Sequence, residues 1–346
     1  MKARASNYPP INTSATKPAR VSDIARFFSG MIAGGFKAGM QRMRRGPLTK
    51  TWDAKLEFII GTSRGTYNLL TEIGSERYQR VLETALPVID GGATLQVSTD
   101  KNLPGHWFLP KVDNGSVILY FHGGGYVYGS VRTHGKLMGT IANAVSARVF
   151  ALDYRLAPEH PQPAAVDDAC AAFRHLVASG ISPQRIVFAG DSSGGGLVLL
   201  ALIALRDAGD VLPAAGVAIS PWVDLSCTDE SFKRNAPYDP VTREACLVAA
   251  KAFLHGANPQ LPEVSPLFAD LAGLPPLLIQ AGEIEVLYDQ IAKFAEKAKA
   301  AGVDVNFHAY KDMVHVWHMY VGFTPLAQEA IDEIAAFVKT SADNQK

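Results

Sequence analysis

The chain has 346 residues, 48% of them hydrophobic, with 33 Lys or Arg balanced by 33 Asp or Glu and three cysteines. That length and apolar content suit one doubly wound domain carrying an elaboration, while no run of about 20 apolar residues exists to span a bilayer. Cys170, Cys227 and Cys246 are odd in number and stand in no metal or redox spacing, which argues for free thiols in a reducing compartment over a disulfide framework.

Charge is unevenly spread. The first 50 residues hold ten Lys or Arg against one acid, Asp23, so this segment carries +9 and the remainder −9. Within it, residues 24–43 interleave Phe27, Phe28, Met31, Ile32, Phe36 and Met40 with cations. This is the pattern of an interfacial amphipathic helix, and equally of a cap helix that folds onto its own protein. Gly30, Gly34, Gly35 and Gly39 count against either helix, each by about 1 kcal/mol relative to Ala. The opening residues are polar and proline-rich, and Asp23 and Arg26 interrupt the apolar stretch that follows, so no secretion signal is expected and a cytoplasmic location is.

From residue 115 onward apolar strand-like runs alternate with helical ones. Residues 116–121, 147–153, 185–189, 214–220, 276–281 and 305–310 read as strands; residues 163–179, 195–208, 289–301 and 325–340 read as helices. Such alternation places the chain in the α/β class, with a mostly parallel central sheet and helices on both faces.

Two strand ends carry the chemistry. After the run 185–189 comes Gly190-Asp191-Ser192-Ser193-Gly194, and a serine between spaced glycines at a strand-to-helix turn is how a hydroxyl becomes an exposed nucleophile. The helix that follows aims unsatisfied N–H groups at the space beside Ser192, with Ser193 N–H as the first oxyanion donor. After the run 116–121 comes His122-Gly123-Gly124-Gly125, where side-chain-free backbone can approach a ligand, so Gly123 and Gly124 are the expected further donors. A phosphate loop is the competing reading, but the pattern lacks both the Lys-Ser/Thr of a P-loop and the spacing of a dinucleotide site. His122 sits among the donors and reads as a brace for the loop.

These motifs, with Asp153-Tyr-Arg-Leu-Ala-Pro-Glu-His160 between them, resemble the hormone-sensitive-lipase-like family of α/β-hydrolases. The resemblance continues through Ser220-Pro-Trp-Val-Asp-Leu225, Ser265-Pro-Leu267, 273–280 and Met313-Val-His-Val-Trp317, and so covers roughly residues 115–338. Many relatives have Ala where this chain has Ser193. The family's chain order places an acid and then a histidine downstream of the serine. His315 matches the family histidine, leaving His308 and His318 as structural residues. Relatives carry Asp-Pro-Leu and a second Asp two residues on, which aligns with Glu285, Val286, Leu287 and Asp289. Glu285 is therefore the expected acid, Asp289 the alternative with a helix-capping role, and Glu283 faces solvent.

The resemblance implies a serine carboxylester hydrolase acting through an acyl-enzyme on small to medium acyl esters, with no metal or organic cofactor. It also implies a mostly helical cap built from residues 1–85 and about 224–258, the remainder of 86–346 forming the catalytic domain. Tyr126 and Trp222 are expected to line an apolar substrate pocket. Lactone hydrolysis and deacetylation run on the same triad. A non-catalytic small-molecule receptor would have lost the base or nucleophile, and both are present. The basic N-terminus shows no signature of nucleic-acid binding; peripheral membrane contact through 24–43 and a homodimer are the partner states that the sequence leaves open.

Overall fold

Residues 18–343 are described by the structure, a computed structural model, in which one eight-stranded sheet organises the chain. Three helices come first: α1 (Val21–Arg45), α2 (Ala54–Ile73) and α3 (Ser75–Ala85). Then follow β1 (Thr94–Val97), β2 (Gly105–Leu109), β3 (Val117–Phe121), α4 (Val131–Val145), β4 (Arg148–Leu152), α5 (Ala164–Ala178), β5 (Ile186–Asp191), α6 (Ser193–Asp207) and β6 (Ala215–Ile219). The chain closes with α7 (Ser231–Arg234), α8 (Arg243–Leu254), β7 (Leu277–Gly282), α9 (Tyr288–Ala300), β8 (Val305–Tyr310) and α10 (Pro325–Asp343).

The strand order is β1-β2-β4-β3-β5-β6-β7-β8, parallel from β4 to β8 and antiparallel at β1/β2 and β2/β4. Strand order reverses between β3 and β5, whose ends pair at Phe121 and Gly190. Open α/β sheets leave a crevice beyond the carboxyl ends of the strands at such a reversal, so both glycine motifs are delivered to one place.

The pleat sends successive side chains to opposite faces. Leu119, Phe121 and Phe188 meet α5, α6 and α9 through Phe173, Leu197 and Phe294, whereas Ile118, Tyr120 and Val187 meet α4 and α10 through Met138, Ile141 and Ile334. Both faces are therefore covered and every position on β3, β5, β6 and β7 is buried, so β3 and β6 read as unbroken apolar runs and β5 and β7 as runs broken only by Asp191 and Gln280.

The segments outside this alternation are helical. α2 is started by Asp53, whose side chain accepts from Leu56 N at 2.7 Å. α1 and α2 cross at glycines: a Cβ at Gly34 would lie 2.1 Å from Gly61 O, and one at Gly65 would lie 2.0 Å from Gly30 O. The glycines counted against a helix in the sequence are what let two backbones approach this closely. α2 in turn packs on α8. Residues 1–17 of the expected cap segment lie outside the described residues. Among the described residues no helix is long and apolar enough to cross a membrane.

Candidate active site

Ser192 stands between β5 and α6 with φ 55° and ψ −121°, a conformation that an L-residue adopts only when its surroundings hold it. Its N–H is bonded to Ile219 O at 2.8 Å, and its carbonyl accepts from Trp222 N at 2.9 Å and Gly196 N at 3.0 Å. A Cβ at Gly194 would lie 2.0 Å from Phe121 O and one at Gly190 2.4 Å from Gly194 O, so the flanking glycines are sterically required by the turn. The serine hydroxyl is thus fixed by backbone alone and its Oγ is left for chemistry.

His315 Nε2 lies 2.8 Å from Ser192 Oγ. It follows β8 on the loop preceding Trp317, so the sheet brings residues 123 apart in sequence into contact. On the other side of the ring, Nδ1 is 3.6 Å from Glu285 Oε2, an ion-pair separation longer than a hydrogen bond. Both His315 Nδ1 and Glu285 Oε1 are buried without a hydrogen-bond partner. Burial works against charging His315, but Glu285 outweighs it, with Asp239 and Asp191 adding to the pull, and the imidazole is held above its ordinary value of 6.5.

Glu285 is fully buried and its carboxylate receives a 2.6 Å hydrogen bond from Ser220 Oγ. Ser220, at the end of β6 with φ 45°, also accepts from Val316 N at 3.1 Å, so one hydroxyl ties the acid to the histidine loop. Asn235 Nδ2 donates to Glu285 O at 2.8 Å, and Val286 N–H is donated to Asp239 Oδ2 at 2.6 Å. Asp239 is itself buried; lost hydration, reinforced by Glu285 and opposed by His315, raises its carboxyl to about 7.

Asp289, the alternative acid, lies elsewhere. It accepts from Ser231 N at 2.9 Å and pairs with Arg234, bracing α7 against α9. The helix begins at Tyr288 with Leu287 before it, so Asp289 is in the first turn and is not the cap expected from the sequence. Glu283 is exposed, as expected. His318 is buried against Gln280 at 2.8 Å and burial depresses it to about 3, while His308 bonds to Glu333 at 3.1 Å.

Opposite the serine, the glycine loop corrects one expectation. The N–H of Gly123 is donated to Asp191 Oδ1 at 3.2 Å and is therefore committed, so Gly123 is not a free oxyanion donor. Gly124 and Gly125, with φ 115° and 63°, line the cavity instead. Among the described residues no acceptor is bonded to the N–H groups of Gly124, Gly125 or Ser193. Asp191 is the anchor of this loop: it also takes Tyr120 OH at 2.7 Å and faces His134 Nε2 at 3.2 Å. Burial alone would raise its carboxyl, but His134 and Tyr120 prevail and hold it low. His122 braces the loop as expected, stacked on Tyr154, with Nδ1 2.7 Å from Gly123 O. Burial together with His134 pushes it down to about 4, so it is neutral near pH 7. Ser193 Oγ accepts from Tyr126 N at 3.2 Å, pointing away from the nucleophile.

Ser192, His315, Gly124 and Gly125 open into a cavity of about 280 Å³. Trp222, Val241, Ala245 and Ala249 wall one side, and Phe27, Tyr67, Leu70 and Tyr78 of the N-terminal helices wall the other. Trp222 is part of this wall. Tyr126 is not: it is fully buried beneath the site with its ring stacked 4.0 Å from that of Phe253, and Tyr128 takes the position on the wall. A second groove, of about 370 Å³, runs between α1 and α2 and contains no residue of the serine–histidine pair.

A serine held on a strained turn, bonded to an imidazole and facing free backbone donors, is the equipment of a serine hydrolase. Comparison with known proteins agrees. Residues 118–319 match the family model described as alpha/beta hydrolase fold, and the chain belongs to that family. Within it the chain is of the hormone-sensitive-lipase type: it is similar to an esterase from the bacterial hormone-sensitive lipase (HSL) family, at 40% identity and TM-score 0.72 over 94% of this chain and 99% of that one. An acetyl-hydrolase of Streptomyces hygroscopicus is 44% identical over 236 residues, 68% of this chain and 79% of that protein. An esterase of Acinetobacter venetianus is 38% identical over 229 residues, 66% of this chain and 75% of that protein. The chain is accordingly a carboxylester hydrolase.

Proposed function

We propose that the enzyme cleaves esters of small to medium acyl groups through an acyl-enzyme. His315 Nε2 takes the proton of Ser192 Oγ as that oxygen bonds to the ester carbonyl carbon, and Glu285 holds the imidazole in the required tautomer and stabilises its charged form. The carbonyl oxygen, now negative, rests on the N–H groups of Gly124, Gly125 and Ser193, and the C–O bond breaks as His315 returns the proton to the departing alkoxide. Water then attacks the acyl-serine by the same route and regenerates Ser192. The observation that carries this reading is the 2.8 Å contact between His315 Nε2 and a serine fixed at φ 55°.

The cavity supports the choice of acyl group. Its volume of about 280 Å³ is divided between two walls that come largely from α1–α3 and from residues 240–249. We read these segments as the cap that selects the substrate. The acetyl-hydrolase relative points in the same direction, toward short acyl groups. The test is a series of p-nitrophenyl esters from acetate to palmitate, with Ser192→Ala as control. Turnover that peaks at short acyl chains and disappears in the variant is expected. Highest activity on the palmitate ester, or near-normal turnover by Ser192→Ala, would overturn the reading.

A further inference from the structure

The two walls of the active-site cavity differ in chemistry. Trp222, Val241, Ala245 and Ala249 make one of them apolar. The other, between Phe27 and Leu70, carries hydroxyls: Ser63, Thr66 and Tyr67 of α2, Tyr78 of α3, Tyr128 just beyond the glycine loop and Tyr320 just beyond His315. Spacing of three and four residues puts 63, 66 and 67 on one face of α2. Tyr78 turns the edge of its ring to that of Tyr128, with centroids 5.1 Å apart at 83°. Among the described residues no Lys, Arg or Glu lines this cavity, and its Asp191 is taken up by Tyr120, Gly123 and His134. The hydroxyl wall therefore answers to neutral polar groups.

Three of these hydroxyls have capacity to spare. Elsewhere Tyr120 is committed to Asp191 at 2.7 Å, Tyr154 to His122 O at 2.7 Å and Tyr310 to Glu333 at 2.9 Å. The Tyr67 hydroxyl meets that of Tyr128 and the Tyr78 hydroxyl meets Thr66, and among the described residues none of the three bonds to a main-chain group. A hydroxyl donates once and also accepts. Two that meet each other leave one proton and further acceptor capacity free. Thr66 Oγ1 gives its own proton to Ser63 O at 2.7 Å, so Tyr78 is the donor there and keeps its acceptor side. Burial pushes Tyr78 up to about 12 and raises Tyr67 and Tyr128 as well, so all three stay protonated near pH 7. The set thus offers donor and acceptor together, as another hydroxyl group requires.

The position of the wall says which part of the ester meets it. His315 hands its proton to the departing alkoxide, so the alcohol lies on the side of the histidine. Tyr320 OH donates to Ser63 Oγ at 3.2 Å, one turn of α2 before Tyr67, which joins the hydroxyl wall to the segment that follows His315. The apolar wall closes on Gly125 instead, where a Cβ would lie 2.7 Å from that of Ala249 and 3.8 Å from Trp222, and so suits the acyl group. Resting on the acyl-enzyme reading given above, we propose that Tyr67, Tyr78 and Tyr128 select esters whose alcohol part is neutral and carries further hydroxyl groups.

The test compares glycerol monoacetate with butyl acetate, which share the acyl group, by acid release at constant pH, each rate being divided by that of hydroxide-catalysed hydrolysis. Because a site built for hydroxyls discriminates against a substrate that lacks them, the corrected kcat/KM is expected to favour the glycerol ester at least about fivefold. That ratio should fall at least about threefold in Tyr67→Phe, in Tyr78→Phe and in Tyr128→Phe, the loss expected of one neutral hydrogen bond. A role in packing alone would not move the ratio, and thermal melts report that each variant is folded. A smaller preference in the wild type, or a ratio that the three variants leave unchanged, would overturn the proposal while hydrolysis of both acetates left the acyl-enzyme reading standing. Hydrolysis of neither acetate by the wild type would refute that reading and this proposal with it.

Discussion

One hydroxyl, that of Ser220, joins the acid to the histidine loop. Its Oγ donates to Glu285 Oε2 at 2.6 Å and accepts from Val316 N at 3.1 Å, both fully buried, and it does not line the cavity. Ser220→Ala leaves a buried carboxylate short of a donor and frees the loop carrying His315. Hydrogen bonds to charged groups contribute about 1.5–3 kcal/mol. If that energy is felt when the imidazole becomes charged, kcat/KM falls about 10- to 150-fold. The loss should lie in kcat, with KM nearly unchanged, since no substrate contact is removed. Because Ser220 has φ 45°, Ser220→Gly serves as a control that removes the hydroxyl while relieving backbone strain. Both variants should show the same kinetic deficit on p-nitrophenyl butyrate, with thermal melts verifying folding. The reasoning is refuted by kcat/KM within twofold of wild type, by a loss confined to KM, or by a deficit in the alanine variant that glycine restores.

Four further outcomes follow from the same geometry. Glu285→Gln should lower kcat by at least about 100-fold, whereas Asp289→Asn, which touches only α7 contacts, should retain it within threefold or so; equal losses would reopen the choice of acid. The pull of Glu285 and Asp239 holds the His315 imidazolium to a pH above 6.5. The neutral base therefore accumulates only above that value, and the acidic limb of kcat/KM should lie there and move to lower pH in Asp239→Asn, a shift that a stopped-flow pH profile would detect or exclude. Gly34→Val places a side chain 2.1 Å from Gly61 O and should cost about 1–3 kcal/mol in urea melts, or visibly detach α1 in hydrogen exchange. Tyr126→Phe should leave acyl-chain preference unchanged, because its hydroxyl has no partner and its ring is off the cavity wall, while Trp222→Ala should alter that preference.

What could be read in the sequence was whatever is encoded within a few residues. β3, β5, β6 and β7 are buried on both faces, so their apolar runs stand out, and the Ser192 turn is announced by the glycines that its own backbone demands. β1 and β2 escaped notice because they are short antiparallel edge strands: β1 is exposed at three of its four positions, so neither period nor apolarity marks it. α4 lies outside the alternation expected from the sequence, and its start is marked only by the capping box of Ser130 and Thr133. The glycine motif reports which N–H groups are unshielded, not which are already taken; Asp191, 68 residues away, takes that of Gly123.

Ser220, Asn235 and Asp239 illustrate the harder case. Each acts on Glu285 or its neighbour from 65, 50 and 47 residues away, through contacts that exist only once β6, β7 and the α7 segment are folded together. The proline that the resemblance leads one to expect after the acid would have no N–H at the position where Val286 donates to Asp239. Val286 supplies an N–H there, and Asp239 accepts it. Sequence could have raised the question, since Val286 carries an N–H and a buried N–H must find an acceptor. The answer required knowing which carboxylate the fold brings there. Ser220 holds the Glu285 carboxylate, while Asn235 and Asp239 fix the backbone on either side of the peptide that follows it, and together these contacts set the carboxylate 3.6 Å from His315 Nδ1.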